Sequence, residues 1–245
     1  MIYLIDPGLS FAEIPPQLEG ARLSVDNQKH LKALRADRGD EVAFLNLEGK
    51  AAVYIVKDYK PLILEHSKNI SQEKPALKTH LFLAPPSDAA LEQAVEQATE
   101  IGYDEIHLFR SQRVQVPKDR SLSYARLKRI MYSACKQCGR LWAPTMNESI
   151  IPFEKALEDA TSFLKVFADE SSADTQWGSL RGAELKKTEQ SDLAIFIGPE
   201  GGWSDEERST MKEIATTFSL GPHVLRVPTA VVAAYSLCWK ELSRE

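Results

Sequence analysis

The sequence predicts an α/β protein in two parts, a small N-terminal β-barrel followed by an open parallel sheet flanked by helices. Three observations carry this reading. Within residues 1–70, short strand-like runs are separated by tight turns, the pattern of a small all-β module. After a polar stretch at 66–79, apolar runs alternate with helical patterns, the order that builds βαβ units. Those later runs, such as Leu193-Ala-Ile-Phe-Ile197, are apolar throughout, as strands covered on both faces are.

In the first part, Arg22–Val25, Glu41–Leu45 and Ala51–Val56 read as strands, with turns at Arg38-Gly-Asp40 and Leu47-Glu-Gly-Lys50. Asn27–Arg35 reads as one short helix capped by Asp26. His66–Pro75 is polar, lacks apolar periodicity and ends in proline, so the domain boundary falls there, dividing 1–70 from 76–245. Beyond it, Thr79–Ala84 is a buried-type strand. Ser87 can cap a helix that carries Leu91, Val95, Ala98 and Ile101 and stops at Gly102. Glu105–Phe109 is the next strand, and a basic helix over 122–138 follows. Phe163–Ala168 and Leu193–Ile197 are two further strands. Ser204-Asp-Glu-Glu207 is a capping box that opens a helix with Met211, Ile214 and Ala215 inward. Thr229–Leu242 forms the last helix.

The chain of 245 residues is 43% hydrophobic and 27% charged, a composition that supports a well-filled core. No apolar run is long enough to cross a bilayer. The N-terminus lacks a basic region and meets Asp6 early, unlike a signal peptide. Cys135, Cys138 and Cys238 cannot form a disulfide framework, and reduced thiols fit the cytoplasm. Cys135-x-x-Cys138 has no partner pair at finger spacing and falls inside a helical pattern, so no metal is expected.

Net charge is −5, yet Arg110–Arg140 holds nine basic residues against Asp119 alone, giving that segment +8. A cationic strip on an anionic body is the footprint of a polyphosphate-binding face. On a helical wheel Arg126, Arg129, Lys136 and Arg140 fall within roughly 80° of one another. Leu127, Ile130, Met131, Ala134 and Cys138 form a separate apolar stripe. A plain solvated helix is the alternative, but such helices intersperse acids among their bases. The strip favours nucleic acid.

Two loops carry the chemistry. Ile197-Gly-Pro-Glu-Gly-Gly-Trp-Ser-Asp-Glu-Glu207 and Leu220-Gly-Pro-His-Val-Leu-Arg-Val-Pro-Thr-Ala230 each run from an apolar segment through Gly-Pro into a helix. Two such loops imply one pocket walled by backbone. Neither is G-x-G-x-x-G, and neither has the Lys-Ser/Thr of a P-loop. Asp205-Glu-Glu207 at the helix start would repel a phosphate. A neutral or cationic ligand is favoured, and S-adenosylmethionine, a sulfonium beside an adenosine, has that character.

These motifs resemble those of the RsmE-type methyltransferases, which methylate N3 of a uridine in small-subunit (16S) ribosomal RNA. That family belongs to the SPOUT class, whose C-terminal domain ties a deep trefoil knot, a rare exception to unknotted folds. The likeness extends to His30-Leu-Lys-Ala-Leu-Arg35 with Gly39-Asp40, which is similar to the motif of a PUA-like N-terminal barrel that helps to hold RNA. Ala98-Thr-Glu-Ile-Gly102, Ser111-Gln-Arg113 and Gln137-Cys-Gly-Arg140 are similar to further family elements.

The resemblance implies a knot over about 165–235, a homodimer with sites completed across the interface, and no membrane partner. It implies that S-adenosylmethionine sits among Ala168 and Glu170, then Ile197, Gly198, Glu200, Gly201 and Gly202, then Leu220, Gly221 and Leu225, with Thr229 at the mouth. His30, Arg35, Arg113, Arg126, Arg129 and Lys136 are the expected RNA contacts. Uridine N3 must lose its proton, so a positive field at the developing anion carries much of the catalysis. Arg140 and Arg226 are the candidates for that field.

Two positions depart from the family pattern: Pro228 stands where a glutamate is usual, and Gln97 where a lysine is usual. They leave open a SPOUT enzyme with a shifted target nucleotide. A non-catalytic RNA-binding dimer that keeps the knot is a further alternative, though the complete glycine loop speaks against it. Arg226 has a structural alternative too, a bridge to Glu200 or another carboxylate of the knot. Arg226→Ala is therefore expected to lower turnover far more than cofactor affinity. Steady-state kinetics beside titration calorimetry check this, and an equal fall in both makes Arg226 a pocket-building residue.

Overall fold

The computed structural model describes residues 1–114, 122–170 and 192–242. Lys118, Asp119 and Arg120 of the basic segment, and 171–191 of the expected knot, lie outside the described residues. The chain divides into two compact units, Met1–Lys74 with Tyr132–Ala143, and Pro75–Met131 with Pro144–Glu245.

The N-terminal unit contains β1 (Ile2–Leu4), β2 (Gln17–Glu19), α1 (Val25–Ala33), β3 (Glu41–Leu45), β4 (Lys50–Tyr59) and β5 (Leu62–Ser71). Its sheet is ordered β1-β3-β4-β5-β2, with β1 parallel to β3 and the other pairs antiparallel. β1 and β2 are its edges, so the sheet is open where a closed barrel was expected. Leu4, Leu31, Phe44, Tyr54, Val56 and Leu64 form its main core. Tyr54 packs edge-on to Phe44 and donates its hydroxyl to Pro15 O at 2.9 Å. The hydroxyl of a buried tyrosine finds a partner in this way.

Three local expectations are corrected in this unit. Arg22–Val25 is no strand: a 3-10 turn at Gly20–Arg22 leads directly into α1. Ser24, one turn before Asn27, accepts the Asn27 N–H at 3.2 Å and is the cap in place of Asp26. The polar stretch after His66 is largely strand. β5 runs to Ser71 with its outward residues exposed, and an edge-facing polar strand reads as linker when only apolar periodicity is followed.

The C-terminal unit is built on six parallel strands ordered β11-β9-β10-β6-β7-β8. These are β6 (Thr79–Leu83), β7 (Glu105–Arg110), β8 (Thr145–Pro152), β9 (Leu164–Ala168), β10 (Leu193–Ile197) and β11 (Thr216–Phe218). The helices are α2 (Asp88–Ile101), α3 (Tyr124–Cys138, which from Tyr132 onward belongs to the first unit), α4 (Phe153–Asp159), α5 (Asp205–Ile214) and α6 (Val227–Leu242). Every residue of β6 and β10 is buried, as central parallel strands require. Strand order runs outward from β6 to β8, then resumes on the far side at β9, with β10 inserted between. Ligands of open α/β sheets bind beyond the strand C-termini at such a reversal.

Ser87 occupies the N-cap position of α2 but makes no capping hydrogen bond. Ile214 is exposed where an inward position was expected, while Met211 is fully buried and Ala215 packs on the core. On α3, Leu127, Met131 and Ala134 are buried as expected. Cys138 is exposed, and Cys135 takes the inward place against Leu45, Leu47 and Ala51. Burial pushes the Cys135 thiol up to about 12, the direction expected of a structural, apolar-packed cysteine.

At the N-terminal end of the sheet, His80 and His107 are both buried. Their ligand atoms and that of Glu105 lie within 4.8 Å of one another. The two rings, 21° from coplanar, have centres 5.4 Å apart. That separation is as large as a 3.1 Å nitrogen–nitrogen contact allows. The lone-pair axes therefore lie along one line and do not converge on a metal position beside it. Instead the groups form a hydrogen-bonded relay. Asn147 Nδ2 donates to His107 Nδ1, His107 Nε2 to His80 Nδ1, and His80 Nε2 to Asp192 Oδ2, each at 3.1 Å. Asp192 also accepts the Lys78 N–H at 2.8 Å.

Burial, followed by the neighbouring His80, holds the His107 imidazole down at about 4, against an ordinary 6.5. Between those values the unfolded chain binds the proton and the folded one does not. Stability therefore falls as pH drops through that window, by up to about 3 kcal/mol. Thermal unfolding of the protein is expected to lose midpoint temperature from roughly pH 6.5 to 4. His107→Gln should flatten that acid limb.

Candidate active site

Three loops leave the C-terminal ends of β9, β10 and β11 and enclose a cleft of about 280 Å³, near the small end of the range for ligand sites. Residues 168–170 form one wall, 197–203 the second and 219–225 the third, with Val227 and Ala230 of α6 closing it. Ala168, Glu170, Ile197, Gly198, Glu200, Gly201, Gly202, Leu220, Gly221 and Leu225 all line the cleft. Thr229 does not. It is exposed on the first turn of α6, and helical spacing turns Val227 and Ala230 inward instead.

The floor of the cleft is Trp203, the largest fully buried side chain. Its indole N–H donates to Ala168 O at 2.9 Å, which ties the second loop to the first. The ring lies 4.8 Å from Phe167 and is stacked on Phe109 at 5.9 Å. Gly198 lets the indole come this close, because a Cβ there would sit 2.7 Å from the ring. Gly202 holds φ of +70°, and a Cβ on it would meet the Glu170 carboxylate. Both glycines are thus demanded by the pocket's own walls.

Electrostatically the cleft is unusual for a nucleotide-type site: among the described residues, no lysine or arginine lines it. Asp169, fully buried in the wall, is neutralised by Arg208 of α5, whose Nε lies 3.0 and 3.2 Å from its two oxygens. Arg208 also reaches Glu170 at 3.6 Å. Glu170 and Glu200 are exposed at the rim. A phosphate would find no cation here, whereas a sulfonium meets carboxylates.

Arg226 is exposed immediately before α6, and its carbonyl accepts the Ala230 N–H at 2.9 Å. Among the described residues it forms no ion pair, so the bridge to Glu200 is not made. Pro228 is the second residue of α6. First-turn N–H groups have no helical acceptor, so a proline there removes nothing the helix uses.

The other expected residues are distributed over both units. Arg113, exposed on the turn after β7, packs its carbonyl 3.0 Å from where a Cβ on Gly201 would lie, so this turn abuts the cofactor loop. Arg129 is exposed on α3. Arg126 is not a free cation. Its guanidinium grips the Glu92 carboxylate of α2, with Nη2 at 2.8 Å from Oε2, a surface pair worth little energetically but one that RNA must compete with. His30 and Arg35 are exposed on the N-terminal unit, while Lys136 and Arg140 are half-buried at the end of α3 and just beyond.

Asp169, Pro199, His223 and Val224 lie within the three expected loops and line the cleft as well, whereas Trp203 and Ser219 line it from just outside them. Trp203 had a readable signal, a bulky aromatic directly after Gly-Gly at the end of a buried strand. Asp169 had one as well, as the first charged residue after an apolar run.

The sequence profile of the RNA methyltransferase domain family matches residues 72–239. The chain belongs to that family. A ribosomal RNA small subunit methyltransferase E from Mesomycoplasma hyopneumoniae (strain 232) is 26% identical over 216 residues, covering 86% of this chain and 90% of that one. Its namesake from Helicobacter pylori (strain J99) is 29% identical over 139 residues, 56% of this chain and 55% of that one. Among solved structures, the RNA methyltransferase chain superposes on a ribosomal RNA small subunit methyltransferase E of Neisseria gonorrhoeae bound to S-adenosyl methionine. That match has a TM-score of 0.75 at 23% identity over 98% of this chain and 97% of that one. A Legionella pneumophila methyltransferase with bound S-adenosylmethionine gives 0.73 at 27% over 98% and 97%. The family resemblance of the two glycine loops is thereby borne out.

Truncating the floor tests the construction. Trp203→Ala is expected to destabilise the protein by about 3–5 kcal/mol in urea unfolding and to abolish measurable binding of S-adenosylmethionine. Thr229→Ala should leave both unchanged.

Proposed function

We propose that the protein transfers the methyl group of S-adenosylmethionine to N3 of a uridine in small-subunit (16S) ribosomal RNA. The observation that carries this reading is the cation-free cleft walled by three backbone loops at the strand C-termini. The glycines let the cleft take its shape, since Gly198 admits the Trp203 indole of the floor and Gly202 the Glu170 carboxylate of the facing loop. Apolar walls come from Ile197, Leu220 and Leu225, and loop backbone groups can hydrogen-bond an adenine.

When bound, the cofactor supplies an electrophilic methyl on a sulfonium that leaves as a neutral thioether. The chain's task is then at the uridine. Arg226, beside the third loop, and Arg140 supply the positive field that stabilises the N3 anion as its proton departs to solvent. Positioning the base in line with the methyl lowers the barrier further. Arg113, Arg129 and Lys136 meet RNA phosphates, and His30 and Arg35 hold the RNA on the N-terminal unit, read as a PUA-like module. The knot over about 165–235, a homodimer and a cytoplasmic location complete the proposal. Among the described residues no helix is long and apolar enough to cross a membrane.

Unmethylated small ribosomal subunits incubated with protein and S-adenosylmethionine, then digested for nucleoside mass spectrometry, test this directly. N3-methyluridine is the expected product. A methyl group on another nucleoside overturns the target, and none at all with cofactor still bound favours a non-catalytic RNA-binding role.

A further inference from the structure

Glu207 is buried to 1% exposure, yet it sits on the first turn of α5 with more partners than a helix cap requires. Its Oε2 accepts the Ser204 N–H at 3.0 Å, and Ser204 Oγ accepts the Glu207 N–H at 3.1 Å. That reciprocal pair alone completes the capping box. The remaining acceptor capacity goes elsewhere. Oε1 takes the Gln112 N–H at 2.9 Å, and Oε2 also takes the Ser111 hydroxyl at 3.1 Å, itself only 2% exposed. Outside, Gln112 Nε2 donates to Glu206 at 2.9 Å. One desolvated carboxylate therefore clamps the Ser111–Arg113 turn to the helix that the cofactor loop feeds. Gly201 in that loop packs directly on the Arg113 backbone.

We propose that Glu207 and Ser111 are positioning residues that set Arg113 against the cofactor loop, so that the RNA contact is held in register with the methyl donor. This rests on the reading that Arg113 meets the RNA. A buried carboxylate with charge-assisted bonds to two backbone N–H groups and a buried hydroxyl is stiff, and catalysis is sensitive to small displacements of such groups. The helix start depends on only part of the constellation. Ser111→Ala removes one bond to the turn and leaves the Ser204–Glu207 cap in place.

The test is a double-mutant cycle on methylation of small subunits, with cofactor affinity measured alongside by calorimetry. Ser111→Ala is expected to lower kcat/KM for RNA about tenfold, with the S-adenosylmethionine Kd within about twofold. Glu207→Gln, which keeps the side-chain volume, should lower it at least as far. In an Arg113→Ala background, Ser111→Ala should cause no further loss, because its effect passes through Arg113. Equal losses in both backgrounds overturn the proposal while leaving the RNA role of Arg113 intact, as does a cofactor Kd that weakens in step with kcat/KM. If Arg113→Ala alone leaves the RNA KM unchanged, the RNA reading of Arg113 fails and the proposal falls with it.

Discussion

The hydrogen bond from Trp203 Nε1 to Ala168 O joins two of the three loops around the cleft, and it is made inside an aromatic floor of Phe109, Phe153 and Phe167. Water is absent from such surroundings, so the bond has little competition and holds its geometry. Much else follows from it. Gly198 has no room for a side chain because the indole occupies that space. The parallel sheet is needed because only strands running the same way deliver all three loops to one edge. The capping box at Ser204 then fixes where the chain turns into α5 directly after the indole.

Charge is segregated in a way that matches two different ligands. The cleft has carboxylates and backbone but no lining cation, and its one buried acid is matched by Arg208. The basic residues lie on α3 and on the turn after β7, outside the lining set, although that turn packs against the cofactor loop. A cofactor without phosphates and a polymer made of them can thus be bound by separate surfaces. The whole-chain charge of −5 hides this arrangement.

Legibility in the sequence followed burial. β6 and β10 are apolar at every position and could be placed almost to the residue, as could the capping box and the glycine loops. β8 and β5 escaped because most of their residues face solvent and carry polar side chains. β11 is three residues long, too short for any period to register. Ten of the eleven cofactor-site residues line the cleft because each belongs to a loop whose backbone builds it. Thr229 failed because its loop turns helical two residues earlier than expected, and α6 rotates it outward. The pairing of Arg126 with Glu92 joins side chains 34 residues apart on α2 and α3, a tertiary fact no local pattern encodes.

The histidine relay lies toward the N-terminal ends of β6 and β7, whereas the cleft is built beyond the C-terminal ends of β9, β10 and β11. His107 stands on β7 and the cleft loops follow β9, β10 and β11, with the fully buried strand β6 between the two regions of the sheet. Such a layout lets the two properties evolve apart. Lineages living at different acidity can exchange His107 and retune tolerance to pH. The methyl-transfer end need not answer to that selection. The same partition offers a route to acid-hardened variants in which activity is not the quantity traded away.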